Sequence, residues 1–256
     1  YENVTFSGES ECFKTAFYIA NANHGQFNSK WGKYDVQFPY SIWLNVKNLL
    51  PEEEQEQIAK TVIKAFLDDT LLGDKTHHDL FTDYQNYTKI LPDTIYITQY
   101  QSSDEIIISD FEEDADLKTG TMENSKVKVH HVGIWAELTE DYSNQGMSKK
   151  SRQNHVLKLK WTDKTDPYVE FVFPKMDFEN GILSFCIADA DLRAVEEEEY
   201  ELLECEIKIK DEHGEVASCV TGNYATIFPP IPTKLGKMQY ITGDTEYKIA
   251  LQTIRL

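Results

Sequence analysis

From Thr94 to the end of the chain the sequence is a succession of short β-favouring runs with no helical run among them. They are Ile95–Tyr100, Glu105–Ser109, Val127–Leu138, Val156–Trp161, Tyr168–Phe173, Ile182–Ala188, Leu203–Ile209, Val216–Val220 and Tyr247–Leu256. Many strands at short spacing lead to an antiparallel sandwich. Leu157, Leu159 and Trp161 alternate with Lys158 and Lys160, and Cys205, Ile207 and Ile209 alternate with Lys208 and Lys210, the period of two expected of strands with one face covered. The character of the chain changes around Leu91-Pro92-Asp93. Before that point it holds a strand-like run and one long helical run, the ingredients of an α/β fold.

The helical run is Pro51 to Leu72. Pro51 suits a first turn, Glu52, Glu53 and Glu54 favour the positive N-terminal end of the helix dipole, and Gly73 suits a stop. Ile58, Val62, Ile63, Phe66 and Leu67 form an apolar stripe that needs a partner surface. The strand ahead of it, Phe13 to Ile19, is aromatic or β-favouring with Lys14 as its one charge, the pattern of a strand buried on most of its surface. It ends in Asn21-Ala22-Asn23-His24-Gly25, where Asn and Gly tolerate positive φ. A histidine at the end of such a strand is held by a rigid scaffold with its imidazole facing solvent or a cleft, which is where a general base has to stand.

Charge excludes some partners. The 256 residues include 44 acidic and 25 basic side chains, a formal charge of -19 that repels phosphate backbones and anionic headgroups, so no nucleic acid partner is expected. No apolar run approaches the ~18–20 residues that cross a bilayer, so no membrane span is expected either. At 41% hydrophobic and 12% aromatic the chain has ample material for real cores. Cys12, Cys186, Cys205 and Cys219 are widely spaced in β-like runs and are expected to be free buried thiols. The chain starts at Tyr1 without methionine and ends within an apolar run, so it is expected to be a fragment.

The order of apolar strand, Asn23-His24-Gly25 turn, Phe27-Asn28 and Trp31-Gly32 loop and amphipathic helix resembles the C-terminal end of an α/β-hydrolase, in particular bacterial serine hydrolases of the esterase and lipase type. In that family the catalytic histidine lies in the loop after the last strand, and the triad runs Ser, then Asp or Glu, then His. The resemblance implies that His24 is the general base, that the substrate of the parent protein is a small-molecule ester, and that no cofactor is needed. Both triad partners would precede His24. The chain holds no G-x-S-x-G, and its nearest string, Phe6-Ser7-Gly8-Glu9-Ser10, lacks the spacing and the preceding strand. Nucleophile and acid are therefore expected upstream of Tyr1. Phe27 is expected to line the substrate site, and Trp31 to be ordinary core packing.

Other chemistry-bearing residues carry weaker signals. His130 and His131 are neighbours on a strand and point to opposite faces, so they cannot readily share a metal. Solvated or core roles suit them and the adjacent His77 and His78 better, and His155 and His213 give no signal. Asp110 to Asp116 lacks the order of a calcium loop and reads as a solvated acidic loop, and Glu196 to Glu199 as a wet face. No metal site is expected. Ile108-Ser109-Asp110-Phe111-Glu112-Glu113-Asp114-Ala115-Asp116 with Thr119-Gly120, Leu183-Ser184-Phe185 with Ala188-Asp189, and Leu251-Gln252-Thr253-Ile254-Arg255-Leu256 resemble galactose-binding-type jelly rolls appended to secreted enzymes. That resemblance implies carbohydrate as a second partner, with Trp135, Trp161, Tyr142 or Tyr168 able to stack on sugar faces, and a secreted or extracytoplasmic location. The expected architecture is an α/β C-terminal piece of an α/β-hydrolase over residues 1–93, followed by an all-β jelly-roll-like sandwich over 94–256. The competing expectation is a non-catalytic β-sandwich protein that binds carbohydrate or protein.

Overall fold

The computed structural model describes residues 4–7, 11–139, 155–162, 166–177, 180–193, 200–232, 237, 247–249 and 251–256. It divides into two compact units, one made of Tyr1–Lys14 and Gln101–Gly181, the other of Thr15–Tyr100 and Ile182–Leu256. Strands β1 (Phe13–Ile19) and β2 (Tyr96–Ser102) pair with each other. Their ends are fixed by Ala20 N donating to the Ile95 carbonyl at 2.9 Å and Ser103 N donating to the Cys12 carbonyl at 2.8 Å, which makes the pair antiparallel. β1 is half-buried along its whole length rather than mostly buried.

In the first unit, β3 (Lys126–His130) pairs with β6 (Tyr168–Val172), and β4 (Ile134–Thr139) with β5 (His155–Lys160), both antiparallel. The expected single run from Val127 to Leu138 is broken at His131, which takes φ 55° and ends β3. Glu105–Ser109 is irregular rather than a strand. Alternation holds where it was clearest: Lys158 and Lys160 are exposed while Leu157 and Leu159 are half-buried. Of the apolar residues described in this unit only Val127 is fully buried, so its cohesion rests largely on strand pairing.

The second unit holds the core. Ile58, Leu80, Phe81, Ile227 and Ile254 are almost wholly removed from water, with Tyr87, Leu91, Tyr96, Ile97 and Tyr100 around them. Its pairings are β7 (Ser184–Ile187) with β12 (Gln252–Arg255), β8 (Glu206–Lys210) with β9 (Val216–Val220), and β10 (Ile231–Pro232) with β11 (Tyr247–Lys248), all antiparallel. The architecture among the described residues is thus β-rich, built from two-stranded sheets. Cys12, Cys205 and Cys219 are half-buried thiols and Cys186 is exposed, less enclosed than their β-like surroundings led us to expect.

Helix α1 (Glu52–Leu67) starts behind Pro51 with three glutamates in its first turn and runs into a π-helical turn, Asp68–Leu72. Gly73 ends it at φ 69°, a left-handed position that costs glycine nothing. The buried face is Gln55, Ile58 and Ala65, continued by Asp69. Ile63 and Leu67, part of the expected stripe, turn to the outer face and are exposed. A second short helix, α2, covers Asp79–Thr82. No described helix is long and apolar enough to cross a membrane.

Two tyrosines of this core and the half-buried Tyr200 are held in the neutral form. Burial, a hydrogen bond to Asp79 and the charge of Asp79 push Tyr87 up to about 12. Burial followed by the charges of Glu54 and Asp93 does the same for Tyr96, also about 12. Burial and Asp189 raise Tyr200 further. A phenol whose pKa is higher folded than unfolded contributes stability that is intact below its ordinary value near 10 and is lost as pH climbs through the folded value. The denaturation midpoint is therefore expected to hold up to pH 10 and to fall steeply between pH 10 and 12, in step with the appearance of tyrosinate absorbance. A midpoint that declines well below pH 10 without tyrosinate would contradict this.

Candidate functional site

The turn after β1 is locally over-determined. Asn21 takes φ 58° and breaks the strand, and its carbonyl receives Leu50 N at 2.9 Å. His24 follows with helical dihedrals, φ −62° and ψ −39°, and opens a 3-10 turn over Gly25–Phe27. The loop then folds back and brings Asp35 underneath. Its carboxylate accepts three N–H groups: Gly25 N at 2.6 Å, Asn23 Nδ2 at 2.9 Å and His24 N at 3.2 Å. Successive amides aimed at one anion form a nest, and here the chain fills the nest with its own side chain.

Gly25 is required by space rather than by dihedral. A Cβ there would lie 2.4 Å from the Gly32 carbonyl oxygen and 3.0 Å from Asp35 Oδ1. From the other side, α1 reaches the turn through Gln55, whose Oε1 accepts from Asn23 N at 3.2 Å and whose Nε2 donates to Asn23 Oδ1 at 3.3 Å and to the Leu50 carbonyl at 2.9 Å. Gln55 and Gln26 are fully buried. Gln26 also donates its amide to Leu50, and its own Oε1 meets no donor among the described residues. Asn23 thus couples the helix to the loop, and its neighbour His24 inherits a fixed backbone.

The His24 side chain itself is exposed. Its ring leans on Trp31, with centroids 5.1 Å apart and planes tilted by 50°. Neither ring nitrogen hydrogen-bonds within the described residues, so no described carboxylate orients the imidazole. Trp31 is not core packing: it is 59% exposed and forms the side wall of the histidine. Phe27, expected at the site, is 42% exposed at the end of the 3-10 turn.

Sequence reasoning passed over a second histidine cluster. His78 Nδ1 lies 2.6 Å from Asp69 Oδ2, and its Nε2 lies 3.1 Å from the Tyr100 hydroxyl. A carboxylate only accepts, which assigns the proton of the neutral ring to Nδ1 and leaves Nε2 to accept the phenol O–H. Asp69 is 7% exposed at its side chain, and Tyr100 is buried under the Arg255 guanidinium, 4.8 Å above its ring. Beside it, His77 Nδ1 contacts the Tyr87 hydroxyl at 3.2 Å, and that hydroxyl donates to Asp79. Nothing in the spacing of these residues announces the cluster. It arises because the π-helical turn carries Asp69 toward the end of β2.

The remaining candidates are occupied locally. His130 stacks on Tyr168 at 4.2 Å and 12°, and His131 Nδ1 donates to the Asp166 carbonyl at 3.0 Å. His155 sits between Glu137 at 3.2 Å and Glu112 at 3.6 Å. The carboxylates of Asp110, Glu113 and Asp114 receive the hydroxyls of Thr119 and Thr121. Trp161 is 39% exposed, whereas Trp135 has its indole nitrogen buried. Tyr142 and Glu196–Glu199 lie outside the described residues. No protein-family model matches the chain, and no match to it was found among curated proteins or solved structures.

Proposed function

We propose that residues 1–93 are the C-terminal piece of a serine hydrolase of the α/β-hydrolase type, with His24 as its general base, and that residues 94–256 are accessory and of jelly-roll type, their last part, Ile182–Leu256, sharing a compact unit with Thr15–Tyr100. The observation that carries the reading is the open imidazole of His24. It stands exposed on a backbone held by three hydrogen bonds to Asp35 and braced by α1. His78, by contrast, has both ring nitrogens engaged by protein groups. A triad base needs one nitrogen open to the nucleophile.

In the proposed reaction the neutral ring takes the serine proton as the hydroxyl attacks the ester carbonyl. It then gives that proton to the departing alcohol, leaving an acyl-enzyme that water cleaves by the same route. The carboxylate that fixes the tautomer is not Asp35, which meets the His24 backbone N–H and neither of its ring nitrogens. Nucleophile and acid are assigned to a part of the protein preceding these residues, and Phe27 to the wall of the acyl site. A secreted or extracytoplasmic location follows from the same family reading. The competing reading, a non-catalytic carbohydrate-binding or protein-binding protein, draws on the exposed Trp161.

A fluorophosphonate probe separates the two. It is expected to label no serine in the 256-residue chain and one serine, within G-x-S-x-G, in the full-length gene product. A full-length product that lacks this serine, or an unlabelled one that binds polysaccharide, overturns the hydrolase reading.

A further inference from the structure

We infer that Asp35 is a positioning residue for His24, holding the imidazole in its working orientation through the backbone. The inference rests on the reading of His24 as the base. Asp35 does not touch the ring. It accepts the N–H groups of His24 and Gly25 and the Asn23 amide at 3.2, 2.6 and 2.9 Å, and so fixes both peptide planes that flank the His24 Cα. Those planes set the direction in which the side chain leaves the backbone. Trp31, the ring's side wall among the described residues, belongs to the same loop, which Asp35 closes.

The contacts around Gly25 make this a tight fit rather than a loose salt-dependent contact. The space where a Cβ would stand is taken by the Gly32 carbonyl at 2.4 Å and by Asp35 Oδ1 at 3.0 Å, so the loop closes hard against the turn. A base displaced by about 1 Å loses on the order of 10²-fold in rate, because proton transfer requires hydrogen-bond distance and alignment. Released amides would let the turn relax by that amount without unfolding the unit, since α1 still holds Asn23 through Gln55.

The test has two arms. In the 256-residue chain, nuclear Overhauser contacts between the His24 and Trp31 rings are expected in the parent, lost in Asp35→Ala and weakened in Asp35→Asn, whose Oδ1 still accepts the Gly25 and Asn23 N–H groups while its Nδ2 can no longer accept from His24 N. In the full-length product, Asp35→Ala is expected to lower kcat for a p-nitrophenyl ester about 10- to 100-fold with KM within about twofold, and Asp35→Asn, which keeps the Gly25 and Asn23 contacts but not the one to His24 N, to recover only part of it. A chemical denaturation midpoint checks that each variant is folded. Ring contacts that persist in Asp35→Ala, or an Asp35→Ala enzyme that turns over normally while His24→Ala is dead, overturn the positioning role alone. Normal turnover in His24→Ala overturns the base assignment, and the first arm then still shows whether Asp35 holds the ring.

Discussion

Replacing His24 with alanine in the full-length product is expected to lower ester turnover by about 10³- to 10⁴-fold, with most of the loss in kcat. On the proposed reading, the serine proton then has no acceptor during attack and the leaving alkoxide no donor, so both halves of the reaction slow. The folded state should hardly notice. The side chain is exposed, its ring nitrogens make no hydrogen bond within the described residues, and the backbone N–H that Asp35 receives survives in alanine. The loss is limited to the ring contact with Trp31, so stability should change by no more than ~0.5 kcal/mol. That separation is the diagnostic. Turnover assayed beside a urea midpoint supports the assignment if the first collapses and the second stays. A variant that is fully active sinks it, as would ester turnover by the 256-residue chain that His24→Ala leaves untouched.

The largest effect on stability is expected at the other histidine. In His78→Leu the Asp69 carboxylate loses the imidazole that faces it at 2.6 Å while remaining 7% exposed. A buried carboxylate without its partner retains the full cost of leaving water, about 3 kcal/mol after allowing for the 29% exposure of His78. The Tyr100 hydroxyl loses its contact with Nε2 at the same time. Removing both partners should cost less than removing His78 alone: the double variant Asp69→Leu with His78→Leu is expected to recover at least half of the loss, because no stranded carboxylate remains. A double-mutant cycle by chemical denaturation measures this. Additive losses, or a single variant that costs under ~1 kcal/mol, would show that the pair is a surface contact of no consequence.

The contrast between the two histidines shows what could be read from residue order. His24 was legible because its signal is local: an apolar strand has to stop somewhere, and Asn21 is a residue that lets it stop. His78 was not, because its partners lie 9 and 22 positions away and depend on how a π-helical turn presents Asp69. The same distinction explains Trp31. An aromatic residue in a loop reads equally as core or as wall, and its 59% exposure follows from where the loop folds back.

Periodicity and turn chemistry were enough for several elements, though not for the break at His131 or the irregular Glu105–Ser109. The alternation of Leu157 and Leu159 with Lys158 and Lys160, the glutamates behind Pro51 and the stop at Gly73 each reflect a preference acting over a few residues, and each is found in place. Which face of α1 goes inward depended on longer-range forces. The apolar residues Ile63 and Leu67 stay outside while the polar Gln55 is buried, because Asn23 and the Leu50 carbonyl offer Gln55 a full set of partners there. Grouping into compact units is likewise a matter of distant contacts: Thr253 Oγ1 receives Tyr100 N across 153 positions, joining strands that no local pattern connects. Residue order therefore located the histidine turn and its covering helix, since φ preferences and side-chain alternation act along the chain. The closing of that turn by Asp35, the wall of Trp31 and the open state of the imidazole came from the folded chain, since hydrogen-bond partners are chosen by proximity in space.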